Sequence, residues 1–120
     1  MTMQIIEEGP RNLVISFQGA GPDTVDVSAL NPPCRELRIL KIIYDAAGDA
    51  IDSTIAWDAT ADVTAVTLHG HSETLCFEFC GGLPNNAAAG KTGDVIVTKG
   101  DADTTLIVHF QKIDANPVYN

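Results

Sequence analysis

The chain has 120 residues, and its length, composition and charge restrict the kind of protein it can be. Its mass of 12.7 kDa suits one domain with one core, and its 45% hydrophobic and 19% charged residues are ordinary for a globular protein. Sixteen Asp and Glu against seven Lys and Arg give a formal charge of −9, which repels nucleic-acid phosphates and anionic membrane surfaces. We therefore expect neither nucleic acid nor a membrane among its partners.

The first residues and the cysteines indicate the compartment. Residues 1–8 lack the basic start and apolar run of a secretory signal, and no segment approaches the roughly 18 consecutive apolar residues of a membrane span. Three cysteines, Cys34, Cys76 and Cys80, cannot all pair within one chain. We expect synthesis in a cytoplasm, where disulfides rarely persist, and we interpret the cysteines as buried thiols.

The first clear strand covers residues 11–18. It places Leu13, Ile15 and Phe17 on one face, as a half-buried strand requires, and a Gly- and Pro-containing stretch ends it. Residues 22–33 are polar and rich in turn formers, and their Asn31-Pro32-Pro33 sequence disfavours helix. This composition predicts a long loop.

Residues 35–44 carry apolar side chains on both faces, which is typical of a central strand covered on two sides. Helical spacing over residues 35–41 leaves a short helix as the alternative. The turn signals that follow predict three hairpins. They pair residues 35–44 with 51–57, residues 63–68 with 73–80, and residues 94–98 with 104–111.

These segments add up to seven or eight short strands with no convincing amphipathic helix. Such a pattern predicts an all-β fold, as an antiparallel β-sandwich or a jelly roll. No internal repeat or domain boundary is visible, so we expect a single domain over residues 1–120 with a short polar tail from about residue 114.

No motif in the chain indicates catalysis or a cofactor. Gly90-Lys91-Thr92 lacks the first glycine of a phosphate-binding loop and precedes a strand. His69 and His71 with Cys76 or Cys80 form a weak metal hypothesis, because the two cysteines lie about 13 Å apart along one strand. The loop aspartates match no calcium-binding loop and suit turn capping. We assign no catalytic residue, no cofactor and no metal ion.

The most distinctive loop covers residues 81–93. Its small residues permit a close approach of the backbone to another surface, and Asn85 and Asn86 offer both donors and acceptors. An interface with a partner and an intramolecular packing loop are both compatible with this composition. Trp57, the single tryptophan, ends a strand before Asp58, and is interpreted as a core anchor or, alternatively, a partner contact.

Several stretches of the chain stand out as a set. They are Glu8-Gly9-Pro10-Arg11-Asn12-Leu13-Val14, residues 37–44, Trp57-Asp58-Ala59-Thr60, and Gly81-Gly82-Leu83-Pro84-Asn85-Asn86-Ala87 with Gly90-Lys91-Thr92-Gly93-Asp94. Together, in this order, they resemble small virion proteins of tailed phages. The resemblance implies an auxiliary head protein that decorates or cements the lattice of the major capsid protein on the capsid exterior.

A structural protein of this kind is expected to bind the major capsid protein and further copies of itself, as a dimer or trimer. A tail or neck connector is the alternative, and a carbohydrate-binding module is a weaker one because few aromatic side chains are present. The candidate interface residues are Gly82, Leu83, Asn85, Asn86, Lys91, Trp57 and Asp58.

Overall fold

The computed structural model describes residues 2–48 and 51–115. Within these residues the chain forms nine strands and two short 3-10 turns, Val27–Ala29 and Glu78–Cys80. The strands are β1 Thr2–Glu8, β2 Asn12–Gln18, β3 Gly21–Val25, β4 Glu36–Asp45, β5 Ser53–Trp57, β6 Val63–Leu68, β7 Ser72–Cys76, β8 Val95–Lys99 and β9 Thr105–Ile113. The predicted all-β fold is confirmed, and residues 36–45 form a strand rather than the alternative helix.

The strands form two antiparallel sheets packed as a sandwich. One sheet has the order β1-β2-β9-β4-β7 and the other has the order β3-β8-β5-β6. Strand β2 pairs with β9, β3 with β8, β4 with β7 and β5 with β6. From β2 to β9, the first strand thus pairs with the last, the second with the second-last, and so on inward. This nested pairing is the arrangement of a jelly roll, and β1 is added to it at one edge.

The three predicted hairpins are wrong. Strand β4 pairs with β9 and β7, while β5 lies in the opposite sheet with β6 and β8. Likewise β6 and β7 belong to different sheets, as do β8 and β9. Turn-forming residues connect strands within a sheet and across a sandwich equally well, so local turn chemistry does not distinguish the two.

Two strands lie where no strand was expected. Every residue of β1 from Thr2 to Glu7 is exposed, so β1 lacks the buried alternation that identifies a half-buried strand. Strand β3 begins at Gly21, just before the predicted 22–33 loop, and continues into it through Pro22 to Val25. Proline is tolerated there because β3 is an edge strand, with no neighbour on one side.

The core lies between the sheets and is formed by the inward residues of β2, β4, β5, β8 and β9. Its largest fully buried side chains are Trp57, Tyr44, Phe17 and Phe110. The Tyr44 hydroxyl donates to the Ile51 carbonyl oxygen at 3.1 Å, which satisfies its polar end. Within the described ranges, no helix is long and apolar enough to cross a membrane.

The start of the predicted polar tail is held by contacts. The Arg35 Nε lies 2.8 Å from an Asp114 carboxylate oxygen, and Ala115 packs against the core. The rest of the predicted tail, residues 116–120, lies outside the described residues.

Candidate interaction surfaces

The 81–93 loop lies over one end of the sandwich and begins by pairing with β4. Leu83 donates to the Ile39 carbonyl oxygen at 2.8 Å and accepts from the Ile39 amide at 3.1 Å. Gly82 is buried at φ +93°, and a Cβ there would come within 3.0 Å of the Leu40 side chain. Both candidate interface residues therefore fix the loop to its own chain.

The second half of the loop packs on the turn between β5 and β6. The Thr92 amide donates to the Asp58 carbonyl oxygen at 3.2 Å, and the Thr92 hydroxyl donates to the Asp58 carboxylate at 2.7 Å. The Thr60 amide donates to the Ala89 carbonyl oxygen at 3.1 Å. Asp58 therefore organises the contact between two loops of this chain.

Lys91 forms an ion pair with a buried carboxylate. Its Nζ lies 2.8 Å from the Glu36 Oε1, and the Glu36 side chain is only 8% exposed. Arg35 contacts the same oxygen at 2.8 Å. Two cations thus compensate one buried charge, which would be costly to leave unpaired.

The two asparagines occupy different environments. Asn85 is buried, and its Oδ1 accepts from the Ala87 amide at 2.9 Å. Asn86 is exposed and lines a depression of about 150 Å³ with Trp57, Thr64, Ala65, Leu83 and Pro84. Among the predicted interface residues, Asn86 thus presents its side chain at a concave surface.

Trp57 is 1% exposed and belongs to the core, the first of its two interpretations. Its buried side chain offers almost no area to a partner. Gly82, Leu83, Asn85, Lys91 and Asp58 all have the intramolecular contacts described above. A contact between the exposed part of the 81–93 loop and another protein stays a prediction.

The asparagines provide a direct comparison. We expect Asn85→Ala to lower the free energy of unfolding by about 1 kcal/mol, because the partly buried Ala87 backbone amide loses its acceptor. Asn86→Ala is expected to change it by less than about 0.5 kcal/mol, as for other exposed substitutions. Urea denaturation measures both. Equal losses would mean that burial does not distinguish the two side chains.

Asp94 gives the loop end a dependence on pH. Burial raises the pKa of this carboxyl, and the Val27 amide, which donates to its Oδ1 at 3.0 Å, opposes the rise. The nearby Asp26 and Asp58 raise the pKa further. Because the folded-state pKa exceeds the unfolded value, Asp94 contributes to the free energy of unfolding while it is protonated. This contribution is lost as the pH rises through the folded-state pKa.

Asp94→Asn retains an acceptor for the Val27 amide but has no carboxyl to ionise. We therefore expect the free energy of unfolding of this variant to fall less than that of the parent as the pH rises. The difference in unfolding free energy between variant and parent should move in favour of the variant between about pH 3 and pH 6. Unfolding measured across that range tests the sign. A difference that is constant with pH would contradict the assignment.

The surface features that sequence patterns missed are exposed apolar side chains at the two edges of the five-stranded sheet. On β1, Met3, Ile5 and Ile6 are 37%, 48% and 56% exposed. Phe79, expected on the inward face of a strand over residues 73–80, is 88% exposed because β7 ends at Cys76. The signal for its exposure is Gly81-Gly82, since both adopt positive φ and redirect the chain.

The predicted burial of the cysteines is correct for Cys34 alone. Cys76 and Cys80 are exposed free thiols. His69 Nδ1 lies 3.0 Å from the Asp52 carboxylate. Across residues 2–48 and 51–115, no three His, Cys, Asp or Glu side chains are grouped so as to hold a metal ion.

The described residues therefore define a jelly-roll sandwich domain with apolar edges. Comparison with known proteins assigns no family to it. No family model matches the chain, and no curated protein matches its sequence.

Proposed function

We propose that this chain is a structural protein that acts by binding other protein subunits rather than by catalysis. The observation that carries the proposal is the exposure of large apolar side chains at both edges of the five-stranded sheet. Exposed apolar surface is costly in water, and patches of it at sheet edges are typical of protein interaction sites.

In its specific form, the proposal is that the chain decorates the head of a tailed phage by binding the lattice of the major capsid protein. This form rests on the sequence resemblance described above. A small β-domain suits the role because it adds buried area across subunit seams, and each contact is repeated by the symmetry of the shell. The net charge of −9 favours solubility before assembly.

Copy number tests the specific form. Quantitative mass spectrometry of particles purified from the phage that encodes this chain is expected to give copies on the scale of the capsid lattice. A few copies per particle would instead support the tail or neck connector, and absence from particles would overturn the virion assignment.

The carbohydrate-binding alternative has less support among the described residues. Sugar-binding faces usually present several aromatic rings. Within residues 2–48 and 51–115, Trp57, Tyr44, Phe17 and Phe110 are buried and only Phe79 is strongly exposed.

A further inference from the structure

We propose that copies of this chain associate head to tail, with Phe79 of one copy inserted into an apolar pocket at the β1 edge of the next. This inference rests on the proposed function and names one partner, a second copy of the chain. It differs from a two-fold dimer because the two contacting surfaces are different.

Phe79 projects from the β7 edge of the sheet. Cys76 pairs with Lys41 of β4, and the Phe77 amide donates to the Leu40 carbonyl oxygen at 2.7 Å. Pairing resumes only at Leu83 with Ile39, so the intervening 3-10 turn bulges outward. This excursion carries Phe79 into solvent, where 88% of it is exposed.

The receiving pocket lies at the opposite edge of the same sheet. It has a volume of about 190 Å³, and its apolar lining comes from Met3, Ile5, Ile15, Val25, Ala29 and Leu30. An engineered cavity of about 150 Å³ binds benzene, so a pocket of this size accommodates a phenyl ring. Filling it would cover the apolar inner side of β1, which the second sheet leaves partly exposed.

The pocket cannot be filled by the Phe79 of its own chain. Strands β1 and β7 are the two edges of the sheet, and three strands separate them. Four spacings of about 4.8 Å place these edges about 19 Å apart. Only another molecule can bring a Phe79 to this pocket.

Charge favours contact between unlike edges. The pocket walls come from β1, β2, β3 and the turn after β3, which contain Glu7, Glu8, Asp23 and Asp26 and no Lys or Arg. Of these carboxylates, Glu8 is paired with Lys112. Beside the Phe79 edge, β4 carries Arg38, whose Nη1 lies 3.5 Å from the Gly81 carbonyl oxygen, and Lys41, which pairs with Cys76 of β7.

Neither cation forms an ion pair within the described residues, although Glu73 and Glu78 share their edge. Two acidic pocket edges would repel each other, whereas the Phe79 edge balances Glu73 and Glu78 with Arg38 and Lys41 and presents no net negative charge to a pocket edge. Such a contact between different surfaces closes into a ring or continues as a filament. A ring of three would agree with the trimer, one of the two oligomers expected from the sequence.

Two variants of the full chain test the arrangement. Phe79→Asp removes the inserted ring and leaves the pocket intact, whereas Ala29→Glu obstructs the pocket and leaves Phe79 intact. Both positions are exposed, so the core is unchanged. Ala61→Glu, the same substitution at an exposed turn on another part of the surface, is the matched control. Urea denaturation first establishes that all three variants fold as the parent does.

Sedimentation velocity over a concentration series is expected to show association of the parent and of Ala61→Glu. Phe79→Asp and Ala29→Glu should each associate at least about tenfold more weakly, the effect of losing one buried aromatic contact. An equimolar mixture of these two should form a dimer and nothing larger, because one functional Phe79 meets one functional pocket.

A monomeric parent, association unaffected by either variant, or a mixture that stays monomeric would overturn the head-to-tail arrangement. None of these results would change the copy number of the chain in particles, which tests the proposed function separately.

Discussion

Gly93→Ala is expected to destabilise the fold by about 3 kcal/mol or more. Gly93 has φ +88°, and a Cβ at this position would overlap the backbone carbonyl oxygen of Arg35. The left-handed conformation costs a residue with a Cβ about 1–2 kcal/mol, and forcing an atom into a packed site costs about 1–3 kcal/mol more. Because the obstacle is backbone, a side-chain rotation cannot relieve it.

Gly81→Ala is the matched control for this prediction. Gly81 has a similar φ of +83°, but a Cβ there would meet no heavy atom within 4 Å. We therefore expect only the conformational cost, about 1–2 kcal/mol. Urea denaturation of the two variants measures the difference directly. Equal losses would show that the 81–93 loop does not pack on Arg35 as described.

Lys112→Met is expected to lower the free energy of unfolding by about 3 kcal/mol. The Lys112 side chain is 0% exposed, and its Nζ lies 2.9 Å from the Glu8 carboxylate and 2.9 Å from the Pro32 carbonyl oxygen. Removing one partner of a buried ion pair typically costs about 3–5 kcal/mol, because the other is left uncompensated. We expect the lower end of this range because the Glu8 side chain remains 18% exposed.

A second substitution separates the charge from the packing. Adding Glu8→Gln to Lys112→Met removes the uncompensated carboxylate while keeping an oxygen for the Asn31 amide, which donates to Glu8 at 2.7 Å. The double variant should recover part of the lost stability. Lys91→Met is the control, since its partner Glu36 retains Arg35, and a loss of about 1 kcal/mol or less is expected. If Lys112→Met lost no more stability than Lys91→Met, the uncompensated Glu8 carboxylate would not be the cause of the loss.

The strands could be predicted where side chains alternate between core and solvent. In β2, Leu13, Ile15 and Phe17 are all buried, as their spacing predicts. Strand β1 could not be predicted in this way, because it extends the larger sheet past the smaller one and both its faces are exposed. The pairing of the strands could not be predicted either, since alternation shows which side chains face inward but not which sheet holds the strand.

The interaction surfaces were predicted only in part. Glycines and small residues mark the 81–93 loop correctly as a place of close backbone approach, but composition does not reveal whether the approached surface belongs to the same chain. Here Gly82 and Gly93 pack on β4 and on Arg35 of this chain. By period-two alternation, Leu75, Phe77 and Phe79 fall on one face of the strand expected over residues 73–80, whereas the turn at residues 78–80 ends that alternation.

The proposed capsid assignment is best tested by reconstructing, at side-chain resolution, the phage particle proposed to carry this chain, because the reconstruction gives location, copy number and contacts together. We expect copies of this jelly roll distributed over the outer surface of the head, in contact with the major capsid protein. A particle that lacks the chain, or holds it only at the tail or neck, would contradict the assignment to the capsid.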